Sequence, residues 1–438
     1  MLLRQFVDDD LGCASYLIGD EETGEGLLVD PIFAVESLLG GAEDAGLRIT
    51  RVLETHTHAD HLSGHGRLAL DRGVPIGIHS AAAAAYPHEP LEDGDEIAVG
   101  SVRVRVIHTP GHRPEHCCFL AGDALLTGDS LFVGAVARPD LAVEARAGAE
   151  GLFHSLRRLT ELPDDARVFP GHVAGSLCGV GMTGELSSTI GRERRLNHAL
   201  ALSTVEDFVA ESASISTPRP PNMDRIVELN RGPFVGPPPP LEPVDSPDGA
   251  TVLDVRDPDA HAAGHVPGAL SVPVSGGSFA TKVGFLLGAD ERIVLHASSP
   301  EEAERAAEGL HAVGILDQIQ GFLAEATATE TVEPIEVSEL DRLLAGDAVQ
   351  LIDVREKDEH DDGYIPGSLN MPYRLLRATA DGLPRDRPVV TICESGARAG
   401  VAASVLVAAG IDARPVLHGG IADLEKLGHR TVAFRRCG

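Results

Sequence analysis

At 438 residues the chain exceeds what one hydrophobic core serves, so roughly two to four domains are expected. A formal net charge of −31 argues against nucleic acid, whose phosphates need a basic patch, and against anionic membranes, and an anionic substrate would need local cations. Six cysteines in a chain this long do not make a disulfide scaffold, so a reducing cytoplasm is expected, and the question becomes which thiols react.

Met1 to Val7 is too short an apolar run for a signal peptide and is followed at once by Asp8-Asp9-Asp10, and no stretch approaches a membrane span. Alternating strands and helices then follow: a strand near Gly26 to Val29, a helix over 34–45 and a strand over 51–54. That last strand delivers the chain to Thr55-His56-Thr57-His58-Ala59-Asp60-His61, where three imidazoles and a carboxylate fall within six residues. Such a cluster can converge on one or two cations if the backbone turns sharply after the strand. Ser63 to Asp71 reads as the helix behind it and Ile76 to His79 as a further strand, with His79 and His88 taken as ordinary satisfied histidines.

Alternation from Val102 to Ile107 marks a half-buried strand that ends at Thr109-Pro110-Gly111-His112, where proline and glycine turn His112 outward. Cys117 and Cys118 begin the next strand and read as buried small hydrophobes. Leu125-Leu126-Thr127-Gly128-Asp129 is strand then turn, and Asp129 is expected to be exposed at the strand end, where a carboxylate could hold a cation. His172 follows Pro170-Gly171 in the same way, and the proline-rich stretches 218–221 and 237–240 read as a stiff linker closing the first domain.

The HxHxDH series followed by His112, Asp129 and His172 resembles the metallo-β-lactamase superfamily, a four-layer αββα sandwich with its metal site at one edge of the sheets. Asp129 to Leu141 narrows the resemblance to persulfide dioxygenases fused to rhodanese domains, although Ala135 and Ala137 stand where that pattern has Asp and Gly. The resemblance implies one Fe(II) on His56, His112 and Asp129, with His58, Asp60, His61 and His172 as outer partners or ligands to a second metal. Arg138 would meet a substrate carboxylate or order Asp140. Cys178, just past the last site histidine as in the fused family, would carry a persulfide or serve as a structural thiol.

The remainder repeats itself. Leu253-Asp254-Val255-Arg256 returns as Ile352-Asp353-Val354-Arg355, and Gly264-His265-Val266-Pro267-Gly268 as Gly363-Tyr364-Ile365-Pro366-Gly367, both 99 residues on. These motifs resemble the rhodanese family, so the chain divides into 1–236, a degenerate rhodanese-like copy over 237–332 and a sulfurtransferase copy over 333–438.

In the second copy a strand ends at Cys393-Glu394-Ser395-Gly396-Ala397-Arg398 and opens a helix. Backbone N–H groups there, with Arg398, should stabilise an anion and favour the Cys393 thiolate, which can attack a sulfane sulfur. Glu394, Ser395, Gly396 and Ala397 would line its pocket, and the loop has the sulfurtransferase length. The first copy has His296 for the nucleophile and Glu301 for the arginine, a loop that repels anions, so this copy reads as structural or as an interaction surface.

The resemblance implies oxidation of a small thiol persulfide by O2 to sulfite, and passage of sulfane sulfur through Cys393 to give thiosulfate, with no nucleic acid or membrane partner. Homo-oligomerisation is left open. The rival is a binuclear zinc hydrolase of glyoxalase II type, because residues for two metals are present, and a third reading is a sulfur-sensing carrier with a structural metal.

Overall fold

The structure is a computed structural model and describes residues 1–140, 142–173, 182–212, 218–323, 329–383 and 385–434. It divides into two compact units, Met1–Pro238 with His311–Gly314, and the rest of the chain. No helix among the described residues is long and apolar enough to cross a membrane.

The first unit is built on two six-stranded sheets. One runs in chain order through β1 (Leu2–Val7), β2 (Ala14–Asp20), β3 (Glu25–Val29), β4 (Arg48–Leu53), β5 (Ile76–His79) and β6 (Glu89–Leu91). The other comprises β7 (Glu96–Val99), β8 (Val102–His108), β9 (Cys117–Ala121), β10 (Ala124–Gly128), β11 (Arg167–Pro170) and β12 (Ser188–Thr189), again ordered by sequence.

Residues of alternate parity on each strand serve two cores, as the pleat requires. Tyr16, Ile18, Leu27, Val104, Val106, Cys117 and Phe119 pack between the sheets. Their neighbours Leu17 and Leu28 face helices Glu36–Asp44 and His65–Arg72 together with Leu38 and Leu68. On the far side Ile107, Cys118 and Leu125 pack on Leu152 and Leu156 of helix Ala145–Leu159. The result is the expected αββα order. Cys117 and Cys118 are buried in different cores, and burial pushes both thiols up, Cys118 to about 11.

Between the proline runs expected to close this unit lies helix Met223–Arg231, so the run 218–221 is not where the first unit ends. Met223 and Ile226 of that helix are buried.

The second unit holds two parallel four-stranded sheets of one topology. β13 (Thr251–Asp254), β14 (Leu270–Ser271), β15 (Ile293–His296) and β16 (Ile319–Leu323) are ordered β14-β13-β15-β16. β17 (Gln350–Asp353), β18 (Leu369–Asn370), β19 (Val389–Ile392) and β20 (Ala413–Pro415) are ordered β18-β17-β19-β20. Each central strand ends in the loop singled out above. The copies pack directly on one another: Arg377 of the second donates to Glu291 of the first at 2.6 and 2.7 Å, and Ser271 N–H donates to Ser404 Oγ at 2.9 Å.

Candidate metal centre and sulfur-transfer loop

The metal loop leaves β4 at Glu54, and strand-end residues from both sheets face it. His56 Nε2, His112 Nε2 and Asp129 Oδ2 come within 4.8 Å of one another, all three are buried, and none has a hydrogen-bond partner. Asp129 is thus not exposed as the sequence suggested: its accessibility is 0%. A carboxylate oxygen and two ring nitrogens cannot remain buried and unsatisfied together without heavy cost, so the set fits a cation.

The opposite atom of each group is fixed. The Thr55 hydroxyl donates to Asp30 Oδ2 at 2.7 Å and accepts from His56 Nδ1 at 2.9 Å. His112 Nδ1–H donates to the Arg138 carbonyl at 3.0 Å. Both contacts put the proton on Nδ1 and leave the Nε2 lone pair facing the site, the outer support that metal-binding histidines need. Asp129 N–H donates to His116 Nε2 at 2.9 Å. Burial first, then the neighbouring imidazoles, push His116 down to about 3, so it stays a neutral acceptor.

His172 is placed differently. Its Nδ1 meets Asp129 Oδ1 at 2.7 Å and its Nε2 meets Asp60 Oδ2 at 2.6 Å. Burial alone would lower its pKa, but the two carboxylates outweigh this and raise it to about 10, so both ring nitrogens are engaged by carboxylates. The other oxygen of Asp60 lies 3.2 Å from His61 Nδ1.

His58, Asp60 and His61 form a second group that could hold a cation, and Asp30, Glu54 and His58 a third. His58 Nε2 lies 3.3 Å from Glu54 Oε2 and 3.4 Å from Asp30 Oδ1. Two acids outweigh the cost of burial and raise its pKa, so it is turned toward them as a cation rather than toward His112.

The loop is tied to distant sequence. Asn230 Nδ2 donates to the carbonyls of His58 (3.0 Å) and His61 (2.8 Å), and its Oδ1 accepts from Ser63 N–H at 2.9 Å. Sequence reasoning missed Asn230, which carries no local signal, and also missed Asp30, Glu54 and His116. Asp30 and Glu54 did carry the signal used for Asp129, an acid directly after an apolar strand. Arg138 forms a two-pronged bond with Asp140 at 2.6 and 2.8 Å, the ordering role foreseen as one of its two uses. Cys178 lies outside the described residues.

In the second unit Cys393 ends β19, with 1% exposure, and Gly396 N–H donates to its Sγ at 3.1 Å. Gly396 has φ +89°, and a Cβ there would come within 1.9 Å of the Leu417 carbonyl oxygen, so only glycine allows the loop to close. Helix Ala397–Ala408 starts directly behind it with no acid in its first turn. Arg398 has a partner that the sequence did not reveal. Its guanidinium is held by both oxygens of Glu359, at 2.6 and 2.8 Å, so its positive charge at the loop is shared with a carboxylate.

The first copy closes its own loop, since Ser298 N–H donates to Glu302 Oε2 at 2.6 Å, filling with a carboxylate the place of an anion. His296 lies 3.5 Å from Asp254, whose carboxylate also accepts from His261 (2.9 Å) and Arg256 (2.6 and 2.8 Å).

Residues 8–172 match the family described as the metallo-beta-lactamase superfamily, and 241–322 and 336–427 match the rhodanese-like domain. Human mitochondrial persulfide dioxygenase ETHE1 is 31% identical over 236 residues, 52% of this chain and 87% of that one. A crystal structure of a metallo-beta-lactamase from Staphylococcus aureus subsp. aureus COL superposes with a TM-score of 0.68 at 30% identity, over 74% of this chain and 98% of that one. A probable polyketide biosynthesis zinc-dependent hydrolase of Bacillus velezensis is also 30% identical, over 181 residues, 40% of this chain and 79% of its own. The chain is an enzyme of the metallo-β-lactamase superfamily, related to the ETHE1 persulfide dioxygenases and extended by two rhodanese-like domains that add a sulfurtransferase component.

Proposed function

We propose that the chain oxidises a low-molecular-weight thiol persulfide with O2 and passes a second sulfane sulfur through Cys393. In the first half-reaction persulfide, O2 and water become thiol, hydrogen sulfite and a proton. His56, His112 and Asp129 would hold one Fe(II), and Asp30–Thr55 and the Arg138 carbonyl keep the two imidazoles in the tautomer that ligation needs. Fe(II) held by two histidines and one carboxylate would supply O2 activation. The observation that carries this reading is the His172 imidazole between Asp60 and Asp129: a positive charge already bridges those carboxylates, which favours one metal over two.

In the second half-reaction the Cys393 thiolate attacks the outer sulfur of another persulfide, the S–S bond breaks and the thiolate RS⁻ leaves. Sulfite then attacks the outer sulfur of the Cys393 persulfide, thiosulfate departs, a proton is released and the thiolate returns. Tethering raises sulfite near Cys393 toward roughly millimolar effective concentration where the span allows. The free thiols Cys13, Cys117, Cys118 and Cys393 suit the reducing cytoplasm proposed for it.

The second reading, a binuclear zinc hydrolase, draws on the group His58, Asp60 and His61. Metal analysis of protein purified without oxygen separates the two: one iron per chain and persulfide-dependent O2 uptake are expected, both lost in His56→Ala and Asp129→Ala while Cys393 still takes up sulfur. Two zincs with thioester hydrolysis would refute the dioxygenase.

A further inference from the structure

The cations around the Cys393 loop are already matched by carboxylates, and the carboxylates are in excess. Arg398 is paired with Glu359, Arg355 with Asp353 at 2.7 to 3.2 Å, and Arg374 with Glu356 at 2.9 and 3.0 Å. Glu394, the residue after the nucleophile, adds a fourth carboxylate. Its side chain is 51% exposed and comes no nearer to Arg355 than 3.5 Å, because the other nitrogens of that guanidinium serve Asp353 and the Gly363 carbonyl. His418, next to the Leu417 carbonyl that packs under Gly396, is bound by Asp259 of the first copy at 3.1 Å. The donor seen on the Cys393 sulfur is a backbone one, the Gly396 N–H at 3.1 Å at the start of helix Ala397–Ala408. That donor and the helix start suit one sulfur-centred negative charge buried in the loop, whereas a sulfonate at the rim would meet the half-exposed Glu394.

We propose that Glu394 is a specificity determinant of sulfur transfer: with the neighbouring arginines neutralised, it disfavours the dianion thiosulfate as sulfur donor and leaves thiol persulfides with an uncharged or cationic tail to load Cys393. This rests on the sulfurtransferase reading above and narrows its substrate class. The loading step balances without a co-reactant, because the thiolate gains the outer sulfur and the electron pair of the broken S–S bond leaves on RS⁻. The same repulsion acts on sulfite as acceptor. Sulfite and thiosulfate are the two ends of one equilibrium, and a rim charge acts on both dianions in the same sense.

The test uses the full chain without O2, so that persulfide is not oxidised, and follows sulfur on Cys393 by intact mass with 2-mercaptoethanol persulfide or thiosulfate as donor. Wild type should load faster from the persulfide, and Glu394→Gln should cut the persulfide-to-thiosulfate ratio of kcat/KM about tenfold, the effect of one unit charge on a dianion at a solvated rim. Glu394→Arg should cut it further, and about 0.5 M NaCl should shrink both effects. The KM for sulfite should fall in the same variants. Thiosulfate loading wild type as fast as the persulfide, or a ratio unmoved in both variants, overturns the inference. No added sulfur from either donor overturns the sulfurtransferase reading and this inference with it.

Discussion

Replacing His172 by alanine should expose how much of the first unit's stability rests on one buried charge. In the native arrangement the imidazole donates to Asp129 at 2.7 Å and to Asp60 at 2.6 Å, His172 and Asp129 being buried and Asp60 nearly so. Removing it leaves two carboxylates without their counter-charge, and breaking a buried pair in this way costs about 3–5 kcal/mol. For a unit of this size each kcal/mol lowers the melting temperature by roughly 2–4 °C, so a drop of about 6–20 °C is expected in chelator-treated protein by differential scanning calorimetry.

The pH dependence fixes the cause. The folded pKa of His172 is raised from its ordinary 6.5 to about 10, so its contribution is complete below 6.5 and is lost as the pH rises through about 10. The carboxyl of Asp129 is lowered from 3.8, chiefly against burial by His172, so its contribution is present above 3.8 and is lost as the pH falls further. The gap between wild type and His172→Ala should therefore be widest from about pH 4 to 6.5 and close toward pH 10. Added Zn²⁺ should stabilise the variant more than wild type, since a divalent cation can replace the lost charge. A drop under about 3 °C, or one independent of pH, would refute the bridging role.

Cys393→Ser keeps the loop and its helix but removes the sulfur carrier, so persulfide should still consume O2 while the product shifts from thiosulfate to sulfite, read by ion chromatography. Asn230→Ala should cost about 1–3 kcal/mol by freeing the buried carbonyls of His58 and His61, and should weaken metal retention in a chelator competition. His296→Ala should leave O2 uptake and sulfur transfer within a few-fold of wild type, because Glu302 already closes that loop; a large loss of transfer in a folded variant would show the first copy to be active.

The sequence by itself determined the strand-end chemistry. An apolar run that stops at a histidine or an acid must place that side chain at a sheet edge, which is why His56, His112 and Asp129 could be picked out before their atoms were seen to converge. The 99-residue repeat and the loop Cys393 to Arg398 were legible for the same reason, since a strand, a tight turn and a helix start are local facts. Direction and partnership were not. Whether Asp129 met solvent or His172, whether Arg398 faced an anion or Glu359, and which nitrogen of His58 found an acid depend on groups brought together from 39 to 43 residues apart or from neighbouring strands. Asn230 shows the limit most plainly. It fixes the metal loop from 169 residues away through a helix between two proline runs, and only packing decides that such a helix returns to the site, because no periodicity in a segment records what its buried face will touch.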